Sequence, residues 1–170
     1  LNLGWKKWSL LSSLTYSSFD DLKMGKNGGQ DSYLRPEYVE RINNKDSIVK
    51  NSDPRIQRFS GYDQLNFQQK VRFKPNEYWD ILYSFTHAKT GDAPRYDRLI
   101  QYRNGNLRFA EWYYGPMIWN MHTLNILHSK KTGIYDDARL VVALQYYEES
   151  RIDRTRANNN RNKQTELVDA

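Results

Sequence analysis

The stretch YDQLNFQQKVRFKPNEYWDILYSFTHAK, residues 62–89, decides the fold because a period of two runs through both of its halves. In the first half, large apolar side chains take alternate positions, interrupted at Gln69: Leu65, Phe67, Val71 and Phe73. In the second half, the alternate apolar positions are Trp79, Ile81, Tyr83 and Phe85. Pro75 and Asn76 separate the halves, as residues of a tight turn do. The stretch therefore predicts a β-hairpin of two long strands.

Three more segments alternate in a similar way and predict three more strands. They are WKKWSLLSSLTYSS (5–18), MIWNMHTLNILHSK (117–130) and ARLVVALQYYEES (138–150), and the turn sequence KTGIYDD separates the last two. A sixth strand begins at Thr165. No segment has a helical period of useful length. We therefore predict an all-β chain with five strands and the start of a sixth.

The connectors between these strands alternate in length. Residues 74–78 and 131–137 are short, whereas residues 19–59, 89–115 and 149–164 are long. An antiparallel up-and-down meander then has its tight turns at one end and its loops at the other, as outer-membrane barrels do. The polar run RTRANNNRN (154–162) is predicted to be a mobile loop tip.

Alternation alone does not decide what the apolar face contacts, which is a second sheet in a soluble β-sandwich and lipid in a membrane barrel. Strands of roughly ten to fourteen residues suit a spanning strand, which needs ~9 to 11. Aromatic residues near the strand ends and a polar face with few charges also favour a partial segment of a transmembrane β-barrel. We predict an open, curved sheet with these side chains on its convex face: Leu65, Phe67, Trp79, Ile81, Leu140 and Leu144.

Composition narrows the class of protein further. The 170 residues include no cysteine, which excludes a disulfide framework and a thiolate metal site. The net charge of +6 is mild, and a mean hydropathy of −0.92 is too polar for a helical membrane protein. The glycine-rich MGKNGG (24–29) lacks the spacing of a phosphate-binding loop and predicts a flexible loop.

The chain offers no arrangement of residues that points to catalysis. Neither a Ser/His/Asp order nor a pair of carboxylates stands out, so we expect no enzyme and no cofactor. His87, His122 and His128 do not have the spacing of a zinc site, so no metal site is predicted. A strand histidine can ligate haem iron, but it is more often a polar wall residue.

The stretch RYDRLIQYRNGNLRFAEWYYGP, residues 95–116, holds four arginines and four tyrosines together with a Phe and a Trp. Arginine forks bind carboxylate or phosphate, and aromatic rings provide stiff amphipathic surface for a bulky ligand. The candidate ligand-binding residues are Arg95, Tyr96, Arg98, Tyr102, Glu111, Trp112, Tyr113 and Tyr114. The alternative is structural: Asp97, Glu111 and the arginines form ion pairs that hold a large loop rigid.

Four stretches carry a family likeness: MGKNGG, VKNSDPRIQRFSGYDQLNFQQKVRFKPNEYWD, PRYDRLIQYRNGNLRFAEWYYGP and QYYEESRIDR. Together they resemble the TonB-dependent outer-membrane receptors, and more narrowly the haemoglobin/transferrin/lactoferrin-receptor subgroup. The resemblance implies a barrel of roughly twenty-two strands around a plug. On this basis we expect residues 1–170 to be an internal fragment of the barrel domain, without the plug.

The resemblance also implies a function, which is uptake of iron complexes, haem or a similar bulky scarce nutrient across the bacterial outer membrane. The expected partners are the extracellular ligand, outer-membrane lipid, and the inner-membrane TonB complex acting through the missing plug, with no nucleic acid. The alternative from the residues alone is a soluble β-sandwich module in which the basic and aromatic stretch binds carbohydrate or single-stranded nucleic acid.

Overall fold

The computed structural model describes residues 1–27 and 34–170, so Gly28 and Gly29 of the predicted MGKNGG loop lie outside the described residues. The chain is all-β, with 63% strand and 2% helix. Its elements are β1 (Asn2–Gly4), β2 (Trp8–Phe19), β3 (Glu37–Ile42), β4 (Lys45–Lys50), β5 (Tyr62–Phe73), β6 (Trp79–Thr90), β7 (Ala93–Pro94), α1 (Tyr96–Leu99), β8 (Tyr102–Arg103), β9 (Asn106–Leu107), β10 (Phe109–Tyr114), β11 (Met117–His128), β12 (Ala138–Thr155) and β13 (Asn162–Asp169). Among the described residues, no helix has the length and apolarity needed to cross a membrane.

The six main strands form one antiparallel sheet in the order β2-β5-β6-β11-β12-β13, so each strand pairs with the next main strand of the chain. This order confirms the predicted up-and-down meander. The described residues leave the sheet open, with β1 at one edge and β13 at the other, and it does not close into a barrel.

Side-chain hydrogen bonds explain the two tight turns that were predicted. The Asn76 side-chain oxygen accepts from the backbone N–H groups of Tyr78 and Trp79 at 3.0 and 3.2 Å, which closes the β5–β6 turn. The Thr132 hydroxyl oxygen accepts from the N–H groups of Ile134 and Tyr135 in the β11–β12 turn. Both turns lie at the same end of the sheet because β5 and β11, the strands that lead into them, run in the same direction.

The register places the predicted apolar side chains on one face of the sheet. Cross-strand partners run Trp8 to Phe73 to Ile81 to Ile126 to Leu140. None of the residues in β2, β5, β6 and β11 is buried, and neither is any residue of β12 from Ala138 to Glu149. The predicted apolar set therefore shares a face that no other element covers within the described residues.

The opposite, polar face is concave. A cavity of about 560 Å³ lies on it, lined by residues of six neighbouring strands, among them Ser9, Lys70, Arg72, Asp80 and Arg139. A cavity can span six strands of one sheet only if the sheet curves around it. The apolar face is consequently the convex one, as the sequence predicted.

Two predicted connectors were wrong in part. Strand β12 continues to Thr155, and only residues 156–161 separate it from β13, so residues 149–164 form a long hairpin and not a loop. Within residues 89–115, β10 continues the line of β11 along β12, because Tyr114 pairs with Arg151 and Ile118 pairs with Glu148. The polar run at 154–162 thus begins inside a strand.

The junction between β10 and β11 is a one-residue bulge that depends on glycine. Residues 115–117 face one residue fewer on β12. Gly115 has φ of +135°, and a Cβ there would meet the Gly91 carbonyl oxygen at 2.7 Å. Because Gly91 and Gly115 approach closely, β7 stays paired with β10 on one side of the bulge and β6 with β11 on the other.

All buried residues of the described chain belong to one end of the sheet. We name this part the loop cap, meaning described residues 20–27, 34–61, 91–116 and 149–161. Its apolar core has two clusters, Val39 with Leu107 and Ala110, and Leu99 with Phe109 and Trp112. The tight turns lie at the opposite end. The packing of the molecule is therefore concentrated where its connectors meet.

Candidate functional site in the loop cap

All eight candidate ligand-binding residues lie in the loop cap, but they differ in exposure. Trp112 is buried at 7% exposure, whereas Tyr102 on the β8–β9 hairpin is 50% exposed. The other six are half-buried: Arg95, Tyr96, Arg98, Glu111, Tyr113 and Tyr114. The cap therefore uses part of the predicted set as packing and presents the rest near its surface.

Arg95 contacts two aromatic residues, Trp112 and Tyr114, near the start of α1. Its Nε donates to Asp97 Oδ1 at 2.9 Å, and its guanidinium lies 5.0 Å from the centre of the Trp112 ring. Its Nη1 also reaches the Tyr114 hydroxyl at 3.4 Å. The hydrogen bond to Asp97 raises the pKa of Arg95. Arg98 lies 3.8 Å from the same carboxylate, so Asp97 joins the first two arginines of the stretch.

Arg154 is the centre of a buried ion-pair network that the sequence did not predict. It is 3% exposed, and its Nη1 and Nη2 donate to the two Asp46 oxygens at 2.7 and 3.0 Å. Its Nε donates to Glu111 Oε1 at 2.8 Å, and Arg161 Nε donates to Glu111 Oε2 at 2.6 Å. The network joins the β3–β4 hairpin to β10 and β12.

The electrostatics of this network favour the charged forms of its members. The hydrogen bond from Arg154 lowers the pKa of Asp46, aided by the backbone N–H of Ala157 at 2.8 Å. Burial works against ionisation of Glu111, but hydrogen bonds from Arg161 and Arg154 leave its pKa lowered. The hydrogen bond to Asp46 raises the pKa of Arg154. All three groups are ionised at neutral pH.

Next to the network lies a cavity of about 300 Å³, which we name the ring chamber. It is formed where the two apolar clusters of the cap meet. Its apolar walls are Val39, Phe59, Pro94, Leu99, Ala110 and Trp112. Glu111, Tyr113, Arg41 and Arg154 complete the lining, together with Glu40, whose side chain is exposed and on the opposite face of β3 from Val39. The volume is within the range of small-molecule sites.

A second, more polar cavity of about 510 Å³ adjoins the ring chamber. The two share Arg41, Glu111 and Arg154, and the second adds Asn159, Asn160 and Arg161. We name this cavity the arginine mouth. Arg41 lies on the same face of β3 as Val39 and donates to the Asn159 side chain at 3.0 Å. The Arg41 and Arg161 side chains are 36% and 60% exposed, so both cations at the mouth are open to solvent in part.

Phe59 has an unusual backbone conformation at the ring chamber. Its φ is +63°, a left-handed value that bulky side chains seldom adopt. The ring meets Tyr38 edge-on with centroids 5.4 Å apart and lies 5.7 Å from the guanidinium of Arg35. Such strain persists where the surrounding structure imposes it and is common at ligand sites.

Arg35 supports Phe59 from inside the cap. It is 2% exposed, lies between the Phe59 and Tyr96 rings, and donates to the Arg58 carbonyl oxygen. Burial lowers the pKa of Arg35 to about 10. Its Nε atom is buried without a hydrogen-bond partner in the described residues. The cap therefore keeps a cation behind one wall of the chamber.

The histidines lie on the apolar face of the sheet and not in the loop cap. His87 Nδ1 is 2.7 Å from the Asn120 side-chain oxygen, and His122 Nδ1 is 2.8 Å from the Tyr83 hydroxyl. His128 makes a similar contact with the Tyr135 hydroxyl. Each ring thus bonds to a neighbouring side chain. Within residues 1–27 and 34–170 no group of three or more His, Cys, Asp or Glu side chains is placed to hold a metal ion.

Sequence reasoning found Glu111, Trp112 and Tyr113 of the chamber lining but missed the residues contributed by other segments. Arg41 and Phe59 come from the long 20–61 connector, and Arg154 and Arg161 come from the β12–β13 hairpin. Ser150, Ile152 and Arg154 alternate and are all buried, but the polarity of Ser150 and Arg154 gave no signal of burial in the sequence. No local pattern indicated that the three segments converge.

Comparison of the chain with protein-family models, with curated proteins and with solved structures finds no match.

Proposed function

We propose that the chain is part of the transmembrane β-barrel of a TonB-dependent outer-membrane receptor, which takes up iron complexes, haem or a similar bulky scarce nutrient. One observation carries the proposal: a single-layer sheet of twelve-residue strands whose apolar face is uncovered and whose polar face is concave. Such a sheet in water exposes large side chains, including Trp8 at 49%, Leu140 at 55% and Leu144 at 62%. Contact of this face with lipid removes the free-energy cost of exposing these apolar side chains to water.

Strand length and the asymmetry of the two ends also support the proposal. A tilted strand needs ~9 to 11 residues to cross the hydrocarbon core, and β2, β5, β6 and β11 each have 12. Short turns at one end and a folded loop cap at the other correspond to the periplasmic and extracellular sides of such barrels. The loop cap then faces the outside and contacts the ligand first.

In this proposal the partners follow from position. The convex face contacts outer-membrane lipid, the loop cap contacts the extracellular ligand, and a plug coupled to the inner-membrane TonB complex fills the concave side. The alternative of a soluble β-sandwich requires a second sheet over the apolar face. Within the described residues the two extra hairpins, β3–β4 and β8–β9, lie in the loop cap and do not cover that face.

The test uses introduced cysteines, of which residues 1–170 contain none. Any cysteine elsewhere in the full-length protein is first replaced by serine, so that each introduced cysteine carries a unique nitroxide label. Labels are placed one at a time at residues 140–145 of the full-length protein in bilayers. We expect labels at 140, 142 and 144 to collide with lipid-soluble oxygen, and labels at 141, 143 and 145 to collide with a water-soluble nickel chelate. Even-numbered labels that collide with neither reagent would indicate a covering sheet and contradict the proposal.

Uptake tests the role of the loop cap separately. Arg95→Ala and Tyr113→Ala should each slow growth on haem as the sole iron source if the predicted stretch binds ligand. Arg103→Ala is the control, because Arg103 is exposed on the β8–β9 hairpin and makes no ion pair with a described residue. Unchanged growth with both Arg95 and Tyr113 replaced would leave only the rigid-loop interpretation of that stretch.

A further inference from the structure

The ring chamber and the arginine mouth form one continuous site with two chemistries. The chamber walls are apolar or aromatic, and the mouth has exposed guanidinium groups a few residues away on β3 and on the β12–β13 hairpin. Three segments distant in sequence contribute to it. A site assembled from separate segments requires the folded cap and is absent from any one loop alone.

The charges at the mouth do not balance. Arg41, Arg154 and Arg161 face two carboxylates, Asp46 and Glu111. Both Asp46 oxygens and both Glu111 oxygens already accept from arginines. Arg161 uses only its Nε on Glu111, and Arg41 uses Nη2 on Asn159. The donors that remain for an incoming anion are therefore both Nη groups of Arg161 and the other N–H groups of Arg41, and arginine forks match a carboxylate in two-point contacts.

The apolar end of the site sets the size and shape of the ligand. Phe59 and Trp112 contribute aromatic rings to a space of about 300 Å³, which holds a small flat ring system and not a large macrocycle. The strained φ of Phe59 keeps a half-exposed ring at the chamber wall. Apolar walls and a few convergent polar donors are the usual composition of a small-molecule site.

We infer that the loop cap binds a small aromatic carboxylate, with its ring in the chamber between Phe59 and Trp112 and its carboxylate on Arg41 and Arg161. This inference goes beyond the proposed function, because the chamber is too small for haem, and it rests on that function only in assigning the ligand to the extracellular side. Binding itself is a property of the folded cap. It can therefore be measured whether or not the sheet lies in a membrane.

The experiment is a calorimetric titration of the full-length protein with 2-naphthoate and with its neutral counterpart 2-naphthalenemethanol. Wild-type protein should bind the acid more tightly than the alcohol. The double variant Arg41→Ala/Arg161→Ala should weaken binding of the acid by about tenfold or more, because hydrogen bonds to a charged group are lost. It should leave the alcohol unaffected. Arg103→Ala, an exposed arginine outside the site, should change neither.

A second variant tests the ring wall without relying on a disruptive change. Phe59→Gly should abolish binding of both probes while the cap stays folded, because glycine adopts φ of +63° more readily than phenylalanine. Equal affinity for acid and alcohol, or an arginine double variant that binds like wild type, would overturn the inference. Those results leave the spin-label test of the barrel unaffected, and failure of that test leaves the titration unaffected.

Discussion

The main sheet and the loop cap belong to one continuous set of strands, yet they pack in opposite ways. Strand β12 shows the change within itself, since residues 138–149 are not buried whereas Ser150, Ile152 and Arg154 are. Along the sheet, side chains alternate between an uncovered apolar face and a concave polar face. In the cap, segments distant in sequence converge on apolar clusters and a buried ion-pair network.

This difference indicates what holds each region together. Backbone pairing and cross-strand side-chain contacts stabilise the sheet, whose main strands bury no residue between the tight turns and the cap. The cap supplies its own burial and its own counter-ions. The two regions should therefore respond differently to substitution and to the surrounding medium.

The largest expected effect is on the buried network. Arg154→Ala leaves Asp46 buried without its bidentate partner, and removing one member of a buried ion pair costs about 3–5 kcal/mol. We expect the β3–β4 hairpin to detach while the sheet persists. A nitroxide at the exposed position 40 would become mobile, and one at position 144 would not change.

A double variant separates loss of the pair from loss of packing. Arg154→Met/Asp46→Leu removes both charges and should recover most of the immobilisation at position 40, since a hydrophobic replacement of both partners is often neutral. If the single variant keeps the label immobile, the network is not what attaches the hairpin, and the contrast between sheet and cap weakens.

The next effect distinguishes the two faces of the sheet. Leu144→Lys places a charge on the apolar face near the middle of its strand, and we expect a cost of about 2–4 kcal/mol in bilayers. Ala143→Lys is the matched control on the polar face and should cost little. Denaturant titration in bilayers measures both. Equal costs at the two neighbouring positions would show that the apolar face does not contact hydrocarbon.

Acid should loosen the cap by a smaller amount. The pKa of Asp46 is lowered from 3.8 and that of Glu111 from 4.5, so their contribution is full above those values and is lost as the pH falls through the lower folded values. Protonation removes charge but keeps the side chain, so the loss is less than in Arg154→Ala. The label at position 40 should become mobile only as the pH falls below these ordinary values, and no change is expected above pH 4.5.

The matched variant for the acid effect is Asp46→Asn, which cannot be protonated in this range. It should show a weaker dependence of label mobility on pH than the wild type, with the residual dependence due to Glu111. A pH profile identical to that of the wild type would assign the acid response to groups outside the network.

The sheet was predictable from sequence because its determinants are local. Alternation in β2, β5 and β6 and the turn residues Pro75 and Asn76 are visible within windows of about a dozen residues. The limits of four of the main strands were predicted within a few residues. The end of β12 was missed because its polar residues beyond Ser150 are buried against the cap, and sequence polarity alone predicts exposure for them.

The site could be located from sequence only in part, for a related reason. Arginines and aromatics of residues 95–116 marked the region, and Trp112 and Glu111 do line the chamber. Asp46 and Arg154, however, are 108 residues apart, and each reads as an ordinary polar residue of a connector. Long-range pairing of charges leaves no periodic signal, so this part of the cap is not visible in the sequence.

The smallest expected effect concerns the exposed margin of the cap. The Tyr102 hydroxyl donates to Glu37 Oε1 at 3.0 Å and links the β8–β9 hairpin to β3. Tyr102→Phe removes this bond and keeps the ring, so we expect a loss of about 0.5–1 kcal/mol, as for an exposed hydrogen bond. Glu37→Gln is the matched variant, because it weakens the bond by removing the charge without removing the acceptor. The two variants are compared by the loss in free energy of unfolding. If Tyr102→Phe loses as much as Arg154→Ala, the exposed contact between β8–β9 and β3 stabilises the cap as much as the buried network does. Burial would then not distinguish the strong contacts of the cap from the weak ones.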